Sequence, residues 1–216
     1  LKSNEDFSLW CQNNLADHIK PGYSIVNISL KPEVGIPGDA SADQMDAVAE
    51  LADKFSFGEI RVTHEQNLVL AHVKQKDLLK VWQGLVEAKL ATANLSLVTD
   101  IICCPGLDYC GLATARSIPI AQQISSRFAE IKQAQDIGEL RLNISGCINA
   151  CGHHHVGNIG ILGVDKKNKE FYQITLGGHG EYDASIGDII GPAVASDQIV
   201  DAIEKVVNTY LAIRKN

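Results

Sequence analysis

Apolar residues follow two different spacings along the first hundred residues of the chain. A spacing of three to four residues is typical of amphipathic helices, whereas dense or alternating apolar runs are typical of strands. Helices are predicted over residues 4–19, 42–57 and 75–90. Strands are predicted over residues 23–30, 59–73 and 95–98, the second as one long strand or a hairpin. This order of strands and helices predicts a ferredoxin-like α+β sandwich.

The second predicted helix has signals at both of its ends. Ser41 and Gln44 have the spacing of a capping box, in which each residue satisfies a free backbone amide of the other. We expect the helix to bury Met45, Val48 and other apolar residues on one face, and to end at Gly58.

The rest of the chain mixes helices and strands around loops rich in glycine. A helix is predicted over residues 119–134, with Ile120, Ile124, Phe128 and Ile131 on one side. Strands are predicted over residues 140–144, 156–164 and 171–176, the last two as a hairpin. Ser196 is predicted to cap a final helix whose core-facing side includes Ile199, Ile203 and Tyr210. We therefore predict two domains, a ferredoxin-like half-domain over 1–98 and a mixed α/β domain over 99–216.

Composition narrows the class of protein. The formal net charge of −7 argues against nucleic-acid binding, because a phosphate-binding surface needs a basic excess. No apolar run approaches membrane-spanning length, and the N-terminus does not have the pattern of a signal peptide. We expect a cytoplasmic protein with no membrane partner. Because the chain lacks an initiator Met, we also expect it to be processed or cut from something longer.

Four of the six cysteines form two close pairs. Cys104 and Cys110 are separated by five residues, and Cys147 and Cys151 by three. Four cysteine thiolates are the usual ligands of a [4Fe–4S] cluster, and a pair in each of two loops can hold two sides of it. Glycines beside the pairs would let backbone N–H groups approach the sulfurs, and a helix starting after Cys110 would point its positive end toward them. The pattern predicts an iron–sulfur site.

Other uses of these cysteines have to be weighed. Structural zinc sites usually have spacings of two to four residues, so the five-residue gap fits poorly. Disulfides are a poor default in a chain without a secretion signal and with a core of normal size. Cys11 and Cys103 are interpreted as inert buried thiols, Cys103 pointing away from Cys104 in an extended loop.

The sequence motifs around these cysteines resemble those of a known protein family. The segments are Cys104-Pro-Gly-Leu-Asp-Tyr-Cys110-Gly-Leu-Ala, Asn143-Ile-Ser-Gly-Cys147-Ile-Asn-Ala-Cys151, Tyr172-Gln-Ile-Thr-Leu-Gly-Gly178 and Gly58-Glu-Ile-Arg-Val-Thr-His-Glu-Gln-Asn67. They are similar to the signatures of the sirohaem- and [4Fe–4S]-dependent sulfite and nitrite reductases. The resemblance runs from about residue 20 to the end of the chain.

This resemblance implies a cluster coupled to sirohaem through a shared cysteine sulfur. Carried over, Cys104, Cys110 and Cys147 bind cluster iron only, and Cys151 binds both cluster iron and the sirohaem iron. The implied reaction is the six-electron reduction of sulfite to sulfide, with nitrite to ammonia as the alternative. Imidazole or amide groups of His153 and Asn149 are expected to contact the tetrapyrrole, and the electron donor would be a ferredoxin or a flavoprotein.

The chain departs from the family in length. Complete members are about twice as long and consist of two related halves, and the residues that grip the anion come mostly from the first. The chain is therefore expected to be the C-terminal half, with a missing N-terminal half as its partner. Arg61, at the position related by the internal repeat, is interpreted as a structural ion pair. An electron-transfer module without sirohaem and a separate metal site at His153 and His155 stay open as alternatives.

Overall fold

The chain divides after Leu95 into two compact units in the computed structural model. The structure describes residues 2–32, 34–129, 134 and 136–214. We call residues up to Leu95 unit 1 and those from Ser96 onward unit 2. The domain boundary predicted after residue 98 stays a prediction, because a division of contacts does not measure independent folding.

Unit 1 is a four-stranded antiparallel sheet with helices. Its helices are α1 (Lys2–Asn14), α2 (Ala42–Phe55) and α3 (Leu78–Glu87), the last preceded by a 3-10 turn at Gln75–Asp77. Its strands are β1 (Leu15–Asp17), β2 (Tyr23–Ile28), β3 (Arg61–Val62) and β4 (Leu68–Lys74). The strand order is β1-β2-β4-β3, with every pair antiparallel.

The ends of α2 form as the sequence predicts. Ser41 and Gln44 form the capping box in both directions, with distances of 3.2 and 3.0 Å. The helix ends at Phe55, and Gly58, at φ +71°, donates its N–H to Ala52 O at 2.9 Å. The buried stripe of the helix is narrower than predicted, because Met45 is 60% exposed.

Two elements predicted within the first hundred residues differ in the structure. The first helix stops at Asn14, whose buried side chain donates to Asn27 O and Thr92 O, and the next residues pair with β2 instead. Residues 95–98 form turns rather than a strand. The carboxylate of Asp100 accepts the Ser96 N–H at 2.9 Å, which closes this segment into a turn.

Unit 2 is a mixed sheet with helices. The strands are β5 (Ile102–Cys103), β6 (Leu142–Ser145), β7 (Ile159–Asp165), β8 (Glu170–Leu176), β9 (Asp188–Ile189) and β10 (Val194–Ala195). The principal helices are α4 (Ile118–Arg127) and α5 (Ile199–Ile213). The strand order is β10-β8-β7-β6-β5, with β9 beside β8. Strands β5, β6 and β7 are parallel, and β7 and β8 form the predicted antiparallel hairpin.

The helices of unit 2 bury most of the predicted apolar positions. Ile120, Ile124 and Phe128 are at most 3% exposed, whereas Ile131 lies outside the described residues. Gln198, not Ser196, is the N-cap of α5, and Tyr210, one turn from its end, is 37% exposed. The predicted class, a ferredoxin-like half-domain followed by a mixed α/β domain, is confirmed. Among the described helices, none combines the length and apolar character needed to cross a membrane.

Candidate functional site

The parallel strands of unit 2 bring two of the predicted ligands to one edge of the sheet. Cys103, the last residue of β5, pairs with Ile144 of β6. Cys104 follows directly, and its N–H donates to Ile144 O at 3.1 Å. Cys147 comes two residues after β6 ends. Because parallel strands end at the same edge, the loops that carry both cysteine pairs start side by side.

Hydrogen bonds join these loops. We call residues 104–117 the first cysteine loop and residues 146–157 the second. The N–H groups of Thr114 and Ala115 both donate to Gly146 O, at 2.9 and 3.0 Å. The Thr114 hydroxyl shares its one proton between Gly146 O at 3.1 Å and Gly163 O of β7 at 3.2 Å. The two loops are thus held as one structure by residues between and beside the cysteines.

Two glycines allow this close approach. Gly106 has φ +58°, and a Cβ there would lie 2.6 Å from Ser117 N. A Cβ on Gly146 would lie 2.7 Å from Ala115 O and 2.9 Å from the Gly106 Cα. Real Cβ atoms do not approach backbone atoms this closely, so both positions require glycine. The sequence predicts that glycines let backbone N–H groups approach the sulfurs, whereas the packing of one loop against the other is what requires glycine at these two positions.

Two polar groups lie within hydrogen-bond distance of the Cys104 sulfur. The residue is 8% exposed. Gly146 donates its N–H to Cys104 Sγ at 3.0 Å, and the Ser117 Oγ lies 3.4 Å from the same sulfur. Ser117 is also the N-cap residue of α4, so the start of this helix lies beside Cys104. A thiolate bound to iron has no proton and can only accept hydrogen bonds, so this donor set fits an iron–sulfur ligand.

The remaining ligand candidates differ in exposure. Cys147 is 9% exposed, Cys110 is partly exposed and Cys151 is exposed, and all are free thiols. Over the described ranges, no three His, Cys, Asp or Glu side chains converge closely enough to hold a single metal ion. A four-iron cluster is wider than one ion, so its four sulfurs do not have to meet at one point.

Tight backbone turns place Cys151 at the surface. Ala150 and His153 both have positive φ, +57° and +54°. Gly152 donates its N–H to Ser145 Oγ at 3.1 Å, and a Cβ on Gly152 would lie 1.9 Å from Ile144 O. The Asn143 amide donates to His153 O at 3.0 Å and fastens the end of the turn to β6. The exposure of Cys151 is therefore set by its neighbours and not by a loose loop.

The three histidines after Cys151 have unlike surroundings. His153 and His155 are exposed, whereas His154 is 1% exposed, with its ring centroid 3.9 Å from that of His155. Burial, and then the charge that His155 can carry, lower the pKa of His154 to about 4. Residues 154–156 form a short 3-10 turn, whereas only an extended chain would place His153 and His155 on one face. Asn149 is exposed within the second cysteine loop.

A polar network behind the first cysteine loop has no counterpart in the sequence-based predictions. Tyr172, 1% exposed on β8, shares its one hydroxyl proton between Arg116 O at 2.7 Å and the Glu170 carboxylate at 3.0 Å. Glu170 also accepts the Arg116 N–H at 2.8 Å. Burial, followed by the Glu170 charge, raises the pKa of Tyr172. Arg116 is more than fifty residues away from Glu170 and Tyr172 in the sequence, so local sequence patterns could not predict these hydrogen bonds.

The residues not assigned to the cluster lie elsewhere. Cys103 is 3% exposed, and its Sγ lies 3.2 Å from Cys104 O. Cys11 is half-buried in α1, and burial raises its pKa. Arg61 forms an ion pair with Glu59 at 2.5 Å, which is the structural interaction predicted for it.

Comparison with known proteins gives matches over both units. Residues 32–88 match the family described as the nitrite/sulfite reductase ferredoxin-like half domain. Residues 95–216 match the nitrite and sulphite reductase 4Fe-4S domain. The second match covers more than half of the chain and includes all four candidate ligands.

Individual relatives carry the names of both reductases. A ferredoxin–nitrite reductase of Synechococcus elongatus is 29% identical over 178 residues, 79% of this chain and 34% of that protein. A protein named sulfite reductase [ferredoxin] 2, from Mycolicibacterium paratuberculosis, is 30% identical over 189 residues, 83% of this chain and 34% of that protein. The chain thus spans about a third of the length of these curated relatives.

Solved structures agree in fold. The Mycobacterium tuberculosis NirA protein matches with a TM-score of 0.76 and 27% identity, over 94% of this chain and 38% of that one. A dissimilatory sulfite reductase, DsrI, matches with a TM-score of 0.69 over 90% of this chain and 64% of that one. Its 12% identity makes it a likeness of fold alone.

Proposed function

We propose that this chain, which belongs to the nitrite and sulfite reductase family, is the cluster-binding C-terminal part of an assimilatory sulfite reductase. The reaction of the complete enzyme would be the six-electron reduction of sulfite to sulfide. When bound, a [4Fe–4S] cluster and a sirohaem would supply stepwise electron delivery and the iron at which the anion is reduced. The observation that supports this proposal is the joined pair of cysteine loops at one sheet edge, with the Gly146 N–H on Cys104 Sγ.

The four cysteines would share the task unequally. Cys104 and Cys147 are buried, so their sulfurs suit a cluster seated against the loops. Cys151 is exposed, and its sulfur is open to a second cofactor beyond unit 2. In this proposal Cys104, Cys110 and Cys147 would hold the cluster, and Cys151 would be a ligand of both the cluster and the sirohaem iron.

Two exposed polar side chains beside Cys151 would orient the tetrapyrrole. Sirohaem carries many carboxylates, which need hydrogen-bond donors or cations around them. His153 and Asn149 are both exposed on the second cysteine loop and can donate such bonds. Their exposure is compatible with a contact made outside unit 2.

The rest of the enzyme would supply what this chain does not carry. The relatives are about three times as long as the matched region, so we propose that a further part of the enzyme provides the basic residues that bind the anion. The names of these relatives include ferredoxin, which favours ferredoxin over a flavoprotein as the electron donor here. Nitrite is the second candidate substrate, because ferredoxin–nitrite reductases are equally similar relatives.

Anaerobic reconstitution tests the cluster assignment. The wild-type chain should bind about four irons and four acid-labile sulfides, with the broad visible absorption of a [4Fe–4S] cluster. The Cys147→Ser variant should lose both, because an alcohol is a poor iron ligand in place of a thiolate. Cys11→Ser is the matched control and should load normally. Binding of zinc without sulfide, or full loading of Cys147→Ser, would contradict the assignment.

Substrate choice requires the complete enzyme that contains this chain. With reduced ferredoxin as donor, we expect kcat/KM for sulfite to exceed that for nitrite. A higher kcat/KM for nitrite would instead identify the complete enzyme as a nitrite reductase. The cluster assignment would not be affected.

A further inference from the structure

Ser117 has an unusual position for a serine at the start of a helix. It is the N-cap residue of α4, where a serine hydroxyl ordinarily accepts a backbone N–H from the second or third helical residue. Here the second helical residue is Pro119, which has no N–H, and the Ser117 side chain makes no capping bond. The hydroxyl is therefore available for another contact.

That contact is with the sulfur of Cys104. Ser117 is 0% exposed, and a buried hydroxyl is normally hydrogen-bonded. Its Oγ lies 3.4 Å from Cys104 Sγ, within the range of hydrogen bonds to sulfur. The packing of the loops fixes its position, since a Cβ on Gly106 or on Gly146 would come within 2.8 or 3.0 Å of this hydroxyl oxygen.

The direction of the hydrogen bond follows from the chemistry of the ligand. In a free thiol either atom can donate, but a sulfur bound to iron carries no proton. Ser117 must then donate, and Cys104 Sγ receives two hydrogen bonds, from this hydroxyl and from the Gly146 N–H. Hydrogen bonds to cluster sulfurs are among the features that set the reduction potential. They stabilise the more negative, reduced cluster more than the oxidised one.

We propose that Ser117 is a tuning residue that raises the reduction potential of the cluster through its hydrogen bond to the Cys104 sulfur. This inference rests on the proposed function, because it assumes a cluster on Cys104. It assigns a task to a residue outside the cysteine motifs. The residue acts through its neighbour and does not itself bind iron.

A redox titration of the reconstituted chain, followed by visible absorption and by electron paramagnetic resonance, measures this effect. Ser117→Ala should shift the midpoint potential to a more negative value at unchanged iron and sulfide content. Ser125→Ala is the matched control, because Ser125 is also a buried serine on α4. Its potential should equal that of the wild type. Equal potentials for Ser117→Ala and Ser125→Ala would overturn the inference.

A second pair of variants covers the case in which Ser117→Ala does not load. Ser117→Thr keeps the hydroxyl and Ser117→Val replaces it with a methyl group at the same shape, so packing changes equally in both. The valine variant should have the more negative potential, and equal values would overturn the inference. A wild-type chain that takes up no iron and sulfide would overturn the proposed function as well, which distinguishes the two failures.

Discussion

His154 is a buried histidine whose charge state should link stability to pH. The unperturbed pKa of histidine is about 6.5, and that of His154 in the folded chain is about 4. Between these values the unfolded chain binds a proton that the folded chain does not. Acidification from pH 6.5 toward pH 4 should therefore destabilise the fold, by up to about 3 kcal/mol, with no contribution from this group at higher pH.

Urea unfolding of the cluster-free chain at several pH values measures this effect. His154→Leu should show a shallower loss of stability below pH 6.5 than the wild type does. His155→Gln removes an exposed imidazole and should keep most of the wild-type slope. A wild-type slope in His154→Leu would show that His154 is not the responsible group.

Single residues also show which parts of the site the sequence could predict. The cysteine spacings are local, so the iron–sulfur prediction needed no knowledge of the fold. The bond from Ser117 to Cys104 joins residues thirteen positions apart, and the usual expectation for a serine before a helix is a cap. Tyr172 was predicted as part of a strand, but its bond to Arg116 O depends on the pairing of distant segments.

Helices and strands were predicted best where signals at the ends agreed with the apolar spacing. The capping box at Ser41 marks the start of α2 and the turn at Gly58 follows its end, as predicted. Residues 95–98 are apolar enough for a strand, yet the Asp100 carboxylate closes them into a turn. The first helix stopped short because the residues after Asn14 have a partner strand, which the sequence of the helix itself does not reveal. Contacts with other segments of the chain therefore determined the elements that local propensity did not predict.

Two glycines that each follow the last cysteine of a pair offer a test of the loop packing. A Cβ on Gly152 would lie 1.9 Å from Ile144 O, so Gly152→Ala must displace the second cysteine loop from β6. A Cβ on Gly111 would meet nothing within 4 Å. We expect Gly152→Ala to lower the free energy of unfolding by more than about 2 kcal/mol, and Gly111→Ala to change it by less than about 0.5 kcal/mol.

These two variants are compared as cluster-free chains, by urea unfolding followed with far-ultraviolet circular dichroism. In that state only protein contacts contribute, so a cofactor close to Gly111 cannot affect the result. Equal stability of the two variants would mean that the second cysteine loop can move away from β6 without cost, and that the rigid placement of Cys151 is wrong.

The division of the chain into two units suggests that stability is also divided. Each unit has its own sheet and buried core, and all four candidate ligands lie in unit 2. Both tryptophans of the chain, Trp10 and Trp82, lie in unit 1. Tryptophan fluorescence therefore reports on unit 1, while the visible absorption of a bound cluster reports on unit 2.

Unfolding of the cluster-loaded chain in guanidinium chloride should then give two transitions that do not coincide. Ligands stabilise only the state that binds them, so loss of the cluster by Cys147→Ser should lower the transition of unit 2. In that variant the transition of unit 2 is followed by far-ultraviolet circular dichroism, because no cluster absorption remains. The tryptophan transition should keep its midpoint, because Trp10 is 0% exposed and packs against Phe7 within unit 1. Non-coincident probes are the standard sign that a single two-state transition does not apply. If the tryptophan and cluster signals of the loaded wild-type chain shared one midpoint, and Cys147→Ser lowered the tryptophan midpoint as well, the two units would be one cooperative domain. The predicted boundary after residue 98 would then be wrong.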